Sequence, residues 1–92
     1  MLDLDDVLAI EDYYLAIQRA INSGAWRLQG SFGRVMMDAI ESGRCLLGAK
    51  GARDYWGNYI PSREQVKEGT KGSASFVKEC GGADWLEMME GA

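Results

Sequence analysis

The sequence of 92 residues contains no histidine, a single proline and two cysteines. Without histidine, the chain has no Ser-His or Cys-His nucleophile pair, no histidine general base and no histidine-ligated zinc site. The two cysteines, Cys45 and Cys80, lie far apart and form no C-x-x-C pair, so neither a zinc ribbon nor a redox centre is indicated. Both fall on apolar faces of predicted helices, and we expect both to be buried free thiols. Since no known catalytic or metal-binding motif matches, we predict a protein that is not an enzyme, has no catalytic or metal-binding residues and needs no cofactor.

Long apolar runs are also missing. No stretch approaches the roughly 20 residues that a membrane-spanning helix requires. The first residues, MLDLDD, lack the basic start and the apolar run of a signal peptide. We therefore expect no membrane partner and a location in the reducing cytoplasm.

What the chain does contain is the composition of one small folded domain, residues 1–92. Apolar residues make up 47% of the sequence and charged residues 26%, close to the averages for globular proteins. A chain of this length buries only roughly 60–65% of the surface that its unfolded form exposes, so its core must be thin. Because a thin core leaves apolar surface uncovered, we expect a homo-oligomer.

The apolar pattern predicts a mostly α-helical fold that begins with a long helix. Between residues 4 and 21, apolar residues recur at steps of three and four, which places them on one face of an α-helix. Asp3 is the expected N-cap, and the run Asn22-Ser23-Gly24 is expected to stop the helix.

A second helix is expected over residues 32–47, capped by Ser31 and ended by Gly48. The first two helices should form an antiparallel hairpin. Ala39 and Gly43 stand four residues apart on the second helix and are both small, so another helix is expected to approach closely there.

The rest of the chain predicts a structured loop followed by two or three short helices. Pro61 biases Ile60 towards an extended backbone, so residues 55–60 are expected to form a structured loop, with a short β-hairpin as the alternative. The expected short helices begin at Ser62 (residues 63–68), at Ser73 or Ser75 (through Cys80), and at Asp84 (a last helical turn).

Charge is distributed unevenly along the chain. Residues 1–26 contain one basic and five acidic residues, residues 27–63 six basic and three acidic, and residues 64–92 three basic and six acidic. A basic middle segment, rich in arginine and aromatic residues, therefore lies between two acidic ends.

We expect the arginines and aromatic rings of this middle segment to gather on one accessible binding face. Arginine matches phosphate oxygens and aromatic rings stack on bases, while the same residue types dominate protein-protein interfaces. The candidate binding residues are Trp26, Arg27, Arg34, Arg53, Tyr55, Trp56, Tyr59 and Arg63. The alternatives are a protein partner, a phosphate-bearing ligand, and a structural role in which the arginines neutralise the acidic first helix and the rings fill the core.

Two segments, WRLQGSFGRVMMDAIESG (26–43) and DYWGNYIPSR (54–63), resemble small uncharacterised proteins carried by bacteriophages and prophages. The resemblance implies an accessory protein made during infection and located in the cytoplasm of the host cell. Such a protein is expected to bind and inhibit a host defence component, as anti-CRISPR proteins do. Alternatives are a sponge that sequesters a signalling nucleotide of the cyclic oligonucleotide or ADP-ribose type, and a small structural or assembly protein.

Overall fold

The structure, a computed structural model, describes the backbone of residues 4–27, 30–54 and 56–92 and the side chains of residues 9–26, 33–54 and 56–92. Its elements are α1 (Leu4–Asn22), a 3-10 turn (Ala25–Arg27), α2 (Gly30–Glu41), β1 (Ala52–Arg53), β2 (Tyr59–Ile60), α3 (Ala74–Gly81) and α4 (Ala83–Glu90). α1 packs against α2, and α3 packs against α4. The prediction of a mostly α-helical fold, with a helical hairpin followed by a loop and short helices, is confirmed.

The first helix has the predicted extent. α1 ends at Asn22, and the N–H of Gly24 donates to the carbonyl oxygen of Ile21 at 3.1 Å, which closes the last turn. The expected cap, Asp3, lies outside the described residues. Among the residues that the structure describes, no helix combines the length and the apolar character needed to cross a bilayer.

The second helix is shorter than predicted and begins earlier. It starts at Gly30, so Ser31 lies inside its first turn and does not cap it. It ends at Glu41 because Gly43 takes a left-handed conformation, with φ of +78°. The N–H groups of Gly43 and Arg44 donate back to carbonyl oxygens of the last turn, an arrangement that terminates a helix. The extension to residue 47 and the stop at Gly48 were therefore wrong.

Gly43 nevertheless receives a neighbouring helix, as expected for a small residue. A Cβ atom added at this position would lie 2.5 Å from the Sγ atom of Cys80 and 3.3 Å from Cε2 of Phe76, both on α3. The close approach occurs at the turn after α2, and not along the helix itself.

The loop after the helical hairpin contains a short β-hairpin, the alternative that the sequence left open. β1 and β2 pair antiparallel, with Ala52 opposite Ile60 and Arg53 opposite Tyr59. Ile60 is buried in the core, so it anchors the second strand to the body of the molecule.

The helix predicted for residues 63–68 does not form, and the segment consists of turns. The Oε1 atom of Gln65 accepts a hydrogen bond from the N–H of Ser62 at 2.8 Å, and the N–H of Gln65 donates to the carbonyl oxygen of Ser62 at 3.1 Å. Side chain and backbone of Gln65 thus close a tight turn on Ser62, which replaces the expected helix start.

The N-cap residues show where the two C-terminal helices begin. Ser73 is the N-cap of α3, since its Oγ atom accepts from the N–H of Phe76 at 3.3 Å. The alternative cap, Ser75, instead accepts from the N–H of Gly69 at 2.6 Å. Asp84 was wrongly predicted to cap the last helix, because Gly82 holds the N-cap position of α4 and Asp84 lies in its first turn.

The core draws on all four helices and on the segment that follows α2. Its buried residues include Ile17, Ile21, Trp26, Met36, Ile40, Leu46, Leu47, Val77 and Met89. Cys45 is buried as predicted, although in a turn and not on a helix, and burial raises the pKa of its thiol to about 12. Cys80 is exposed, contrary to the prediction, and lies near the end of α3 against Gly43.

Candidate functional site

Three of the predicted binding residues that the structure describes lie in the β-hairpin of residues 52–60, which we call the aromatic hairpin; a fourth, Tyr55, falls in this range but outside the described residues. Trp56 is 70% exposed and Tyr59 is 52% exposed, and Arg53 is exposed beside them. The guanidinium carbon of Arg53 lies 5.9 Å from the centroid of the Tyr59 ring, within the range of a cation-π interaction. The hairpin therefore presents two large rings and one cation to solvent.

The tip of the aromatic hairpin is ordered by Asp54. Its Oδ1 atom accepts hydrogen bonds from the N–H of Trp56 at 2.9 Å and from the N–H of Asn58 at 2.8 Å. An aspartate that binds backbone N–H groups two and four residues ahead holds a turn in one conformation. Arg53 adds a hydrogen bond from Nη1 to the carbonyl oxygen of Gly57 at 2.9 Å. The backbone at the exposed tryptophan is thus held by the hydrogen bonds of the turn.

Tyr59 is also held in one position. Its hydroxyl group donates to the Oε1 atom of Gln65 at 2.6 Å, and its ring lies against the backbone of Gly51, where no Cβ atom would fit. With Arg53 near its centroid, the ring has contacts that fix its orientation while about half of its surface stays in solvent.

Arg63, another predicted binding residue, serves inside the molecule. Its Nε atom donates to the carbonyl oxygen of Leu47 at 2.8 Å, and its Nη2 atom donates to Oδ1 of Asn22 at 3.1 Å. Burial lowers the pKa of the Arg63 guanidinium below its usual value, and the nearby Glu90 and Glu64 act in the opposite direction. Arg63 therefore clamps the end of the aromatic hairpin to α1 and to the segment after α2.

Two other predicted binding residues, Trp26 and Arg34, lie outside the aromatic hairpin. Trp26 is only 3% exposed and belongs to the core, so its expected role on a binding face is corrected to a structural one. Arg34 is exposed on α2. Tyr55 and the side chain of Arg27 lie outside the described residues.

Arg44, a further member of the basic middle segment, contacts α1 and α4. Its guanidinium carbon is 5.9 Å from the centroid of Tyr14 on α1 and 5.6 Å from that of Trp85 on α4. The indole N–H of Trp85 donates to the carbonyl oxygen of Arg44 at 2.7 Å. Within the described ranges, Arg44, Arg53 and Arg63 therefore have different contact partners: Tyr14 and Trp85, Tyr59, and Leu47 with Asn22, respectively.

A cleft of about 250 Å³ lies between α1 and α2, and the sequence analysis did not identify it. α1 contributes Tyr13, Tyr14 and Ile17, and α2 with its following turn contributes Val35, Asp38 and Ser42. The spacing of three and four residues along each helix is the sequence signal that could have indicated this shared face.

A second cleft of about 340 Å³ lies between the turns after the aromatic hairpin and the two C-terminal helices. Its charged lining residues are Arg63, Glu64, Glu68 and Glu90, so three carboxylates face one guanidinium. A lining with this excess of negative charge disfavours a phosphate group. In the described part of the chain, no group of three or more histidine, cysteine, aspartate or glutamate residues is placed to hold a metal ion.

Comparison of the chain with protein-family models, with curated proteins and with solved structures gave no match. The assignment of a function therefore depends on the geometry of the surface, above all on the aromatic hairpin.

Proposed function

We propose that the chain is a phage-type accessory protein that binds and inhibits a host defence component, with the aromatic hairpin as its contact surface. The observation that carries the proposal is the exposure of Trp56, 70%, at the tip of a turn that is fixed by hydrogen bonds. Tryptophan, tyrosine and arginine are the residue types most enriched at the energetic centres of protein interfaces. The resemblance of residues 26–43 and 54–63 to phage proteins supports a host defence protein as the partner.

The energy available at the aromatic hairpin is large enough to matter. Complete burial of a large apolar side chain contributes roughly 1.5–3 kcal/mol. Covering the exposed parts of Trp56 and Tyr59 would therefore contribute about 2–4 kcal/mol before the costs of association. Because the turn is ordered before binding, little conformational entropy remains to be lost there.

A protein partner fits the charges better than a signalling nucleotide. A nucleotide sponge needs several cations around one cavity, because each phosphate carries negative charge. The described arginines Arg44, Arg53 and Arg63 have different contact partners, the cleft of about 340 Å³ carries three carboxylates and one guanidinium, and the chain has a net charge of −4. The sponge and the assembly protein are therefore outcomes that the experiment must distinguish.

The experiment expresses the chain in bacterial strains that each carry one defined defence system and measures the plating efficiency of a phage that the system restricts. An inhibitor restores plating in at least one strain. We expect Trp56→Ala to abolish this effect at equal expression level, while its far-ultraviolet circular dichroism stays that of the parent. Plating that is restored in no strain, or restored equally by Trp56→Ala, would contradict the proposal.

A charge-reversed pair supplies the matched control. Arg53→Glu reverses the cation of the aromatic hairpin, and Lys71→Glu makes the same charge change at an exposed site outside it. We expect Arg53→Glu to lose inhibition and Lys71→Glu to retain it. Equal loss in both variants would indicate a non-specific effect of net charge.

Two solution measurements separate the other functions. Calorimetry with a panel of cyclic oligonucleotides and ADP-ribose derivatives would reveal a sponge by saturable heat. Light scattering over a range of concentrations should show the homo-oligomer that the thin core leads us to expect. Association that grows without limit as concentration rises would favour an assembly protein.

A further inference from the structure

The cleft between α1 and α2 is sized for a single side chain. Its volume of about 250 Å³ is below the roughly 300–1,000 Å³ of pockets that enclose whole small-molecule ligands. Ile17 and Val35 supply apolar surface, one from each helix. A flexible aliphatic chain entering from solvent would lie between them.

Aromatic and acidic groups also line the cleft. Tyr13 is 54% exposed, and its ring stands edge to face with that of Tyr14, with centroids 5.1 Å apart. Asp38 is exposed on α2, and its carboxylate makes no hydrogen bond or ion pair with any other residue that the structure describes. A carboxylate and an aromatic ring both attract a cation, and a guanidinium matches both because it is planar and has several N–H donors.

The same molecule already places a guanidinium against one of these tyrosines. Arg44 approaches Tyr14 to 5.9 Å from the side that faces Trp85. Arg34 stands one helical turn before Asp38 on α2, so it is a cation that could compete for that carboxylate, although it does not line the cleft.

We propose that the α1–α2 cleft binds the side chain of an arginine presented by a partner protein. The aliphatic part of that side chain packs between Ile17 and Val35, and its guanidinium contacts the Tyr13 ring and the Asp38 carboxylate. This site is independent of the aromatic hairpin and gives the protein a second point of contact.

The test is a titration of the full-length chain with N-acetyl-arginine amide, followed by two-dimensional NMR of the backbone amides. We expect saturable shifts at Tyr13, Asp38 and Ser42. N-acetyl-norleucine amide, which has an aliphatic side chain without charge, should bind about fivefold more weakly or not at all, because it loses the charge-assisted contacts.

Variants of two exposed residues of the cleft test the two contacts proposed for the guanidinium. Asp38→Asn removes the charge with little change of shape and should weaken binding by about fivefold, whereas Glu79→Gln, the same charge change on α3, should change it by less than about twofold. Tyr13→Leu removes the ring and keeps apolar volume, and it should weaken binding by about threefold.

Three results would overturn the proposal. The first is the absence of saturable shifts at the cleft, and the second is equal binding of the arginine and norleucine probes. The third is that the same amide shifts appear when the protein concentration is raised without any probe, which would show that a second copy of the chain occupies the cleft. Retained dispersion of the amide spectrum in each variant shows that the fold is intact, so a loss of binding is then a property of the cleft.

Discussion

Replacement of Gln18 by leucine tests how α1 holds the segment that leads to the aromatic hairpin. Gln18 is fully buried. Its Oε1 atom accepts from the N–H of Leu46 at 2.7 Å, and its Nε2 atom donates to the carbonyl oxygen of Leu46 at 3.1 Å and to Oδ1 of Asn22 at 3.1 Å. One side-chain amide thus satisfies both main-chain polar groups of a residue in the core.

The expected loss of stability follows from the N–H and carbonyl groups of Leu46. Gln18→Leu keeps the approximate volume but leaves the N–H and the carbonyl group of Leu46 without a partner, at about 1–3 kcal/mol each. We expect the free energy of unfolding to fall by about 2–5 kcal/mol, out of the roughly 5–14 kcal/mol typical of a domain of this length. The midpoint of thermal unfolding should fall by about 10–30 °C.

The assay is thermal and urea denaturation followed by circular dichroism, with Gln18→Glu as the second variant. At neutral pH the glutamate keeps an acceptor for the Leu46 N–H but provides no donor for the carbonyl group and places a charge in the core. Acidification should therefore stabilise Gln18→Glu relative to the parent, because the protonated acid has both a donor and an acceptor. A free energy of unfolding for Gln18→Leu within about 0.5 kcal/mol of the parent would refute the reasoning.

Three further predictions concern other parts of the fold. In urea denaturation, Gly43→Ala should lower the free energy of unfolding by about 2–4 kcal/mol, because the residue has a positive φ and its new Cβ atom would overlap Cys80. Gly57 also has a positive φ but faces open space, so Gly57→Ala should lower the free energy of unfolding by only about 1 kcal/mol. At pH 8 a thiol reagent should modify the exposed Cys80 rapidly and the buried Cys45 only on unfolding. The free energy of unfolding should decline as the pH rises from about 9 towards 12, because the thiol of Cys45 ionises at lower pH in the unfolded chain than in the folded protein. Arg63→Ala should lower stability by about 2–4 kcal/mol in the same denaturation assay, and Arg63→Lys should recover only part of it, because lysine cannot donate along two fixed directions; an unchanged unfolding midpoint for Arg63→Ala would show that the clamp is unimportant.

The parts of the fold that the sequence predicts well are those that local interactions decide. α1 has an unbroken apolar stripe and a clear stop, and α3 has the Ser73 cap. The end of α2 could not be predicted in the same way, because apolar residues continue past Gly43 at helical spacing. The left-handed turn at Gly43 is stabilised by the approach of α3, a contact between residues distant in the sequence. The helix expected at residues 63–68 does not form for a different, local reason, since the side chain of Gln65 accepts hydrogen bonds from Ser62 and Tyr59 and closes a turn.

The candidate site could be predicted only in its composition. The sequence indicates that arginine and aromatic residues are concentrated in the middle segment, but it does not indicate which of them face solvent. Trp26 and Trp56 are the same residue type, yet one lies in the core and the other at the tip of a turn held by Asp54. Arg53 and Arg63 also have different environments, because the Arg63 side chain donates to the carbonyl oxygen of Leu47 after α2, whereas Arg53 donates to the carbonyl oxygen of Gly57 within the aromatic hairpin.

The central claim is that the aromatic hairpin is a surface for binding and not a structural element. The most direct test measures, on the same preparations of the parent and of Trp56→Ala, the affinity for the defence protein identified in the plating assay and the midpoint of thermal unfolding. We predict that the substitution weakens binding by about tenfold or more and leaves the unfolding midpoint unchanged within error. Unchanged affinity, or a loss of affinity that is accompanied by a large fall in the unfolding midpoint, would contradict the claim.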